Sequence, residues 1–525
     1  MSNAEGPGGT LLPEDDESIE SPEQLALPMG DLAGEGQLPV PERSRRIFCN
    51  RNLRLDQIDV VGFDMDYTLA IYNQPEMDRL SIEATTKKLV DRGYPELLLK
   101  MPYRTDFAIR GLLIDKKLGN VLKMDRYRYV KKAYHGMREL TRDERRDAYH
   151  QYRLRPGTSR FHWVDTLYAL SEVSVFAAVV DELEKNGTAV DYDKLFTDVR
   201  ACIDLSHQDG SILDVVMSDL PRFIRKDPEL GNTLHKLRSA GKKLFLLTNS
   251  RAAYTDKMMQ YLVGDALPEY PSWRNFFDII ITAASKPRFF SEQNPFLEVM
   301  QDGTTKPAAV LEPGHTYAGG NIVAFEQMLN VPADRVLYVG DHIYGDVLRA
   351  KKETAWRTVM VIQEMREEVA ALEQCESDTA RLDELGRVRD TLYDELRLRQ
   401  RRFKEIEKRL HAPAATAQPS DSAAATGEVA QAELEAARVR EKKSIDRVRA
   451  RLKGIETEFN DLEDRIDLAF HPFWGSVFKA GPEVTLFGDQ VEQYACLYTE
   501  RVSNLTVYSP MHYFRSPRDK MPHET

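Results

Sequence analysis

Three short apolar runs punctuate the chain, and each stops at small or acidic residues. Ile-Asp-Val-Val-Gly-Phe starts at Ile58 and meets Asp64; Lys-Leu-Phe-Leu-Leu from Lys243 meets Thr248-Asn249-Ser250; Arg-Val-Leu-Tyr-Val from Arg335 meets Gly340-Asp341. Runs of this length without strict alternation predict strands buried on both faces, as in a parallel sheet. Helical stretches separate them, so the expected fold class is α/β, an open sheet whose site lies beyond the carboxyl ends of its strands. Roughly 180 residues lie between the first and second runs, too many for one crossover, which predicts a cap inserted at about 75–225 in a core spanning 45–365. Inside that insertion, Arg110 to Lys123 reads as a hairpin, with Gly119-Asn120 suited to a turn at positive φ.

Past Val361 the apolar spacing changes to three and four. Leu392, Leu396, Phe403, Ile406 and Leu410 form one seam, interrupted by Arg399, and Ile445, Val448, Leu452, Ile455, Phe459, Leu462 and Ile466 form another. Residues 411–427 between them are rich in Ala, Pro, Ser and Thr, so 366–467 reads as an antiparallel, coiled-coil-like helical hairpin with a flexible tip. Oligomerisation, partner binding and a plain solvated insertion are all open as its purpose. From Phe473 aromatic and apolar residues return, and the segment 468–525 is expected to pack back on the body.

The formal charge of −12 is unevenly spread. Residues 1–44 hold ten acidic side chains and one basic, which with their Gly, Pro and Ser content predicts a disordered tail. The remainder balances 71 basic against 74 acidic groups, which argues against a nucleic-acid-binding body while leaving room for local phosphate pockets. No stretch of roughly 18 apolar residues and no signal-like amino terminus occurs, so a cytoplasmic protein without membrane contact is expected. Cys49, Cys202, Cys375 and Cys496 stand far apart with no CxxC spacing, which speaks against a zinc ribbon or a disulfide framework.

The chemistry sits where the apolar runs stop. Asp64-Met-Asp66-Tyr-Thr68 puts two carboxylates on a strand-to-loop turn, one able to attack phosphorus and the other to protonate the leaving oxygen and then deprotonate water. Thr248 and Asn249 offer a hydroxyl and an amide to a phosphoryl oxygen. Gly340-Asp341-His-Ile-Tyr-Gly-Asp346 adds two more carboxylates. Four clustered acids require a cation, and an oxygen-rich site directed at phosphate suits Mg²⁺. Lys286, after the apolar run Phe277–Ile281, is the candidate for offsetting transition-state charge; Lys306 competes but follows no predicted strand.

These motifs, in this order, resemble the haloacid dehalogenase superfamily. More closely, Gly62–Ala70, Arg110-Gly-Leu, Leu247–Ser250, Tyr254–Met258, Gly340–Asp346, Trp356-Arg-Thr358 and Met521–Glu524 resemble the cytosolic purine 5′-nucleotidases acting on IMP and GMP. The resemblance implies a Rossmann-like phosphatase core, a phosphoaspartate on Asp64, acid/base work by Asp66, and phosphoryl contacts from Thr248, Asn249 and Lys286. It implies metal contacts from Asp64, the Asp66 main-chain carbonyl and Asp341, with Asp346 in support. It further implies base recognition by Arg200, Asp204 and His207, which share one helix face, and an aromatic contact from Tyr168. A homo-oligomer, and transfer of the phosphoryl group to nucleosides, belong to the same expectation. Two departures stand out: Leu213 replaces a pocket lysine, and although Arg155 and Lys352 match an activating-nucleotide site, Asp165 and Gln493 replace an asparagine and an arginine there. Rival readings are a phosphatase of this fold with another substrate and an interaction protein with a vestigial site.

Overall fold

The five strands that carry the core are β1 (Val60–Phe63), β2 (Lys243–Leu247), β3 (Ile279–Thr282), β4 (Val336–Gly340) and β5 (Arg357–Val361). They come from a computed structural model that describes residues 41–149, 154–300, 302–308, 310–348, 354–411, 421–518 and 521–524. The tail up to residue 40, the hairpin tip at 412–420 and Lys352 lie outside the described residues. Strand order is β5-β4-β1-β2-β3, all parallel, extended in parallel by Leu497–Thr499 beyond β5 and by Thr316–Gly319 beyond β3. Short antiparallel strands, Phe48–Cys49 at one edge and Phe296–Val299 with Thr305–Pro307 at the other, complete a ten-stranded sheet.

The apolar runs are continuous because both faces of the sheet are covered. Val61, Phe63, Leu244, Leu246, Leu337 and Val339 belong to one apolar cluster, and the alternating Val60, Phe245, Leu247, Val336 and Tyr338 to another. Gly62 is required by packing: a Cβ there would lie 2.0 Å from Cζ of the Phe245 ring. The chain leaves the core at Ile71–Tyr72 and returns at Ile224–Arg225, and these two segments pair antiparallel. Between them lie α1 (Gln74–Asp91), α2 (Leu170–Lys185), α3 (Tyr192–Gln208) and a five-stranded antiparallel sheet. The expected hairpin is two strands of that sheet, Leu112–Asp115 and Asn120–Met124. Its turn differs in detail, since Gly119 has φ +68° while Asn120 is already in the strand, its amide donating to the Tyr149 hydroxyl.

The helical hairpin consists of α4 (Glu376–Leu410) and α5 (Asp421–Phe470). They run antiparallel: Arg381 pairs with Glu458 and Arg399 with Glu441, so residues later in α4 meet residues earlier in α5. Leu392, Val448 and Leu452 form its buried seam, and Arg399 leaves the seam to pair with Glu395 and Glu441. The expected tip at 411–427 is too long, because α5 already begins at Asp421; Ala423 to Ala425 favour helix over loop. Trp474, fully buried, donates its indole N–H to the Phe107 carbonyl and anchors the carboxyl-terminal segment on the body. Among the described residues no helix is long and apolar enough to cross a membrane.

Candidate active site

The residues directly after β1, β2 and β4, together with the loop after β3, converge at the carboxyl end of the sheet. The chain order places β1 in the middle, with β2 and β3 added on one side and β4 and β5 on the other, which opens a crevice at the switch point. Asp64, its amide bonded to the Val339 carbonyl, and Thr248, its amide bonded to Ile281, both begin as continuations of the ladder. Gly340 is small for a stated reason: a Cβ there would meet Asp346 at 2.6 Å, so the glycine lets that carboxylate fold back over the strand end. After β3 the loop turns sharply through Ala283 (φ 45°) and Ser285 (φ 59°), held by bonds from the Ala283 and Ala284 amides to the Ser250 and Thr248 carbonyls. That turn delivers Lys286 into the crevice.

Lys286 Nζ lies 2.9 Å from Asp64 Oδ1, 2.7 Å from Asp346 Oδ1 and 2.9 Å from the Tyr338 hydroxyl. Lys306 is elsewhere, on the edge strand, paired to Glu298 at 2.9 Å. Asp64, Asp341 and Asp346 are all buried and bring carboxylate oxygens within 4.8 Å of one another. Burial, opposed by Lys286 and reinforced by Asp346 and Asp341, holds the Asp64 carboxyl well above the usual range. Burial and then Asp346 push Asp341 up to about 7. Lys286 is held firmly protonated because the pull of Asp346 and Asp64 outweighs its burial. One lysine against three carboxylates leaves a surplus of negative charge in a dry crevice, which a divalent cation with oxygen ligands would neutralise. The donor set therefore fits Mg²⁺, with Asp64, Asp341 and Asp346 to hold it.

Asp66 stands apart from that trio. Its Oδ1 accepts from the Tyr72 hydroxyl and its Oδ2 from Ser250 Oγ, both at 2.6 Å, and burial raises its pKa. A carboxyl aimed by two hydroxyls and inclined to hold a proton is equipped for acid/base work rather than for binding a cation. Asn249 also has a structural task. Its Oδ1 accepts from the Lys286 amide at 2.5 Å and one N–H of its Nδ2 donates to the Lys286 carbonyl at 3.0 Å, so this side chain fixes the lysine loop. Tyr72, Ser250, Tyr254 and Tyr338 were not singled out from the sequence; an isolated hydroxyl carries no periodic or spacing signal, although Ser250 follows directly on Thr248-Asn249.

The other predicted group lies on the inserted segment. Arg200, Asp204 and His207 follow one another along α3, and the Tyr168 ring packs on His207 with centroids 4.4 Å apart and planes at 36°. Burial pushes the His207 imidazole down to about 4, so it is neutral at physiological pH. Asp204 is exposed and Arg200 rests against the His162 ring, Nη1 lying 3.1 Å from Nε2. The Tyr168 hydroxyl is held above the ordinary phenol value by partial burial and then by the charges of Asp204, Glu172 and Asp66. Glu172 went unnoticed in the sequence. It is 4% exposed, 3.9 Å from Arg200 and 3.4 Å from His162, and its Oε2 has no hydrogen-bond partner. Leu213 packs against the main apolar core, Asp165 faces His342 at 3.4 Å, and Arg155 and Gln493 are exposed.

A model of the 5′ nucleotidase family matches residues 47–525. The chain belongs to the 5′ nucleotidase family. A 5′-nucleotidase domain-containing protein of Dictyostelium discoideum is 29% identical over 487 residues, covering 91% of this chain and 74% of that protein. The rat 5′-nucleotidase domain-containing protein 2 is 32% identical over 338 residues, covering 62% of this chain and 60% of that protein. Among solved structures, a predicted phosphoglycolate phosphatase from Haemophilus somnus overlays at 14% identity with a TM-score of 0.26, covering 58% of this chain and 85% of the other. An HAD phosphatase from Thermococcus onnurineus gives 16%, 0.24, 58% and 87% in the same order. Membership makes the chain a phosphatase-type 5′-nucleotidase, and its α/β core carries an acidic, lysine-containing crevice at the strand ends.

Proposed function

We propose that this 5′-nucleotidase hydrolyses purine nucleoside 5′-monophosphates, IMP and GMP in preference to AMP, through an aspartyl-phosphate intermediate and with Mg²⁺. The observation that carries the mechanism is the division of labour among the carboxyls: Asp64 lies against Lys286, while Asp66 is turned away to Tyr72 and Ser250.

In the first step an Asp64 oxygen attacks phosphorus as the P–O5′ bond breaks, and Asp66 gives its proton to O5′, releasing the nucleoside. In the second, Asp66 takes a proton from water, whose oxygen attacks phosphorus and frees the Asp64 carboxylate and inorganic phosphate. Lys286 offsets charge on the phosphoryl oxygens, and Thr248, buried beside Asp66, offers its hydroxyl to the transferring group. Mg²⁺ held by Asp64, Asp341, Asp346 and the Asp66 carbonyl would screen the carboxylates from the anionic substrate. A nucleoside in place of water would make the same intermediate a phosphotransferase.

Base preference follows from Asp204. Its carboxylate accepts from N1–H of hypoxanthine or guanine, whereas adenine presents a lone pair at N1, an opposition worth about 1–3 kcal/mol. Tyr168 and neutral His207 supply ring faces for the base. The test is phosphate release from IMP, GMP, AMP, UMP and sugar phosphates, with and without Mg²⁺, for wild type and Asp64→Asn. Turnover of IMP and GMP that needs Mg²⁺ and disappears in Asp64→Asn is the expected result. Activity that survives Asp64→Asn overturns the mechanism, and equal rates on sugar phosphates and nucleotides overturn the substrate class.

A further inference from the structure

Arg110 is the most deeply buried charged side chain near the crevice, yet it belongs to the inserted segment, two residues ahead of the Leu112–Asp115 strand. Its side chain has no exposed surface. Nη1 donates to the main-chain carbonyl of Asp341 at 2.9 Å. Nε and Nη2 form a fork with Glu364, at 2.7 and 2.5 Å, and the guanidinium lies 5.2 Å from the centroid of the Phe487 ring. The next residue explains how the side chain reaches so far into the core. Gly111 sits at φ +86°, its amide bonded to Val164, and a Cβ on it would strike Cβ of Phe487 at 2.6 Å. Only glycine lets the strand pass that close to the ring.

The partner of the fork is equally specific in position. Glu364 follows Gln363, whose side-chain amide donates to the Tyr67 carbonyl at 3.0 Å. Two adjacent residues just past β5 therefore grip both acid-bearing loops, Gln363 directly at the loop after β1 and Glu364 through Arg110 at the loop after β4. Tyr67 needs such a grip, since a tyrosine at φ 57° is in a region that non-glycine residues avoid.

We propose that Arg110 is a positioning residue for the metal site: through its bond to the Asp341 carbonyl and its fork with Glu364, the inserted segment sets the orientation of a cation ligand in the core. The proposal rests on the reading of Asp341 as an Mg²⁺ ligand. A lysine cannot replace Arg110, because a point charge on a flexible stem makes neither the planar fork nor the third, divergent bond at the same time.

The experiment is calorimetric titration of the full-length protein with Mg²⁺ alone, in wild type, Arg110→Lys, Glu364→Gln and the double variant, with thermal melts and circular dichroism to verify folding. Arg110→Lys is expected to weaken Mg²⁺ binding at least tenfold and Glu364→Gln less, with the double variant no worse than Arg110→Lys, as for two residues acting as one unit. In steady-state assays kcat at fixed Mg²⁺ should fall and recover as Mg²⁺ is raised, while the KM for nucleotide stays within about twofold. A folded Arg110→Lys, or a folded Glu364→Gln should the first not fold, with wild-type Mg²⁺ affinity overturns the proposal. Wild-type protein that binds no Mg²⁺ overturns the metal reading beneath it, and the role of Arg110 with it.

Discussion

Two clusters of charged residues carry the proposed function, and they are built in opposite ways. At the sheet ends Asp64, Asp341, Asp346 and Lys286 are buried, and further bonds from Tyr338, Asn249 and Arg110 hold their surroundings in place. On α3 Asp204 is exposed, Arg200 is half-exposed against a histidine ring, and one carboxylate oxygen of Glu172 behind them lacks a hydrogen bond. The first cluster is pre-organised around an excess of negative charge that a cation would balance. The second has polar capacity left over, which a base edge would satisfy. Burial and cross-bonding suit groups that must meet a transition state in fixed geometry, whereas a surface that selects among bases gains from groups unsatisfied until the right one arrives.

The sharpest way to break that contrast is Asp341→Asn. Removing one of three crowded carboxylates should lower turnover by about a thousandfold, in the range seen for loss of one electrostatic stabiliser. It should also raise the melting temperature of the metal-free protein by relieving repulsion, a trade of stability against function. A metal-free protein that melts lower than wild type would mean that the cluster is not over-charged. Next in size is Asp204→Ala. The ratio of kcat/KM for IMP to that for AMP should drop about tenfold, the equivalent of about 1.4 kcal/mol, with the melting temperature unchanged because the side chain is exposed. An unchanged ratio removes Asp204 from base recognition.

A third test, on stability rather than turnover, isolates burial without a cation. Asp78, on α1, is 2% exposed and accepts from Gln74 Nε2 at 2.9 Å, and burial raises its pKa to about 7. Its folded pKa lies above its unfolded value, so the folded state holds the extra proton and stability falls as pH rises from about 4 to about 7. Asp78→Asn should be near-neutral at pH 4 and stabilising at pH 8, up to a few kcal/mol; equal melting temperatures of variant and wild type at both pH values would show the carboxyl to be solvated.

Much of the core was legible because the parallel strands are buried on both faces, so Val60–Phe63, Lys243–Leu247 and Val336–Gly340 announce themselves as apolar runs with acids at their ends. The antiparallel sheet of the insertion was less visible. Phe161–Val164 and Val130–His135 are short and only partly buried, and of its strands only the Leu112 to Met124 pair, with a glycine in its turn, carried a local signal. In the site, carboxylates at fixed spacing from a strand end were found, while Tyr72, Ser250, Tyr338 and Glu172 were not, because each acts through a neighbour distant in sequence. Asn249 shows the same limit from the other side: its type suggests a phosphoryl contact, and only the fold shows that its side chain also braces Lys286.

The sequence by itself determined the strand ends, the acids placed on them and the lysine that answers them, because these follow from local patterning and from which side chains can attack phosphorus or hold a cation. Only the tertiary structure decided which hydroxyls aim Asp66, that Lys306 is a surface partner of Glu298, and that Arg110 reaches from the insertion to the carbonyl of Asp341. Those are contacts across tens to hundreds of residues of chain, fixed by packing and burial rather than by spacing.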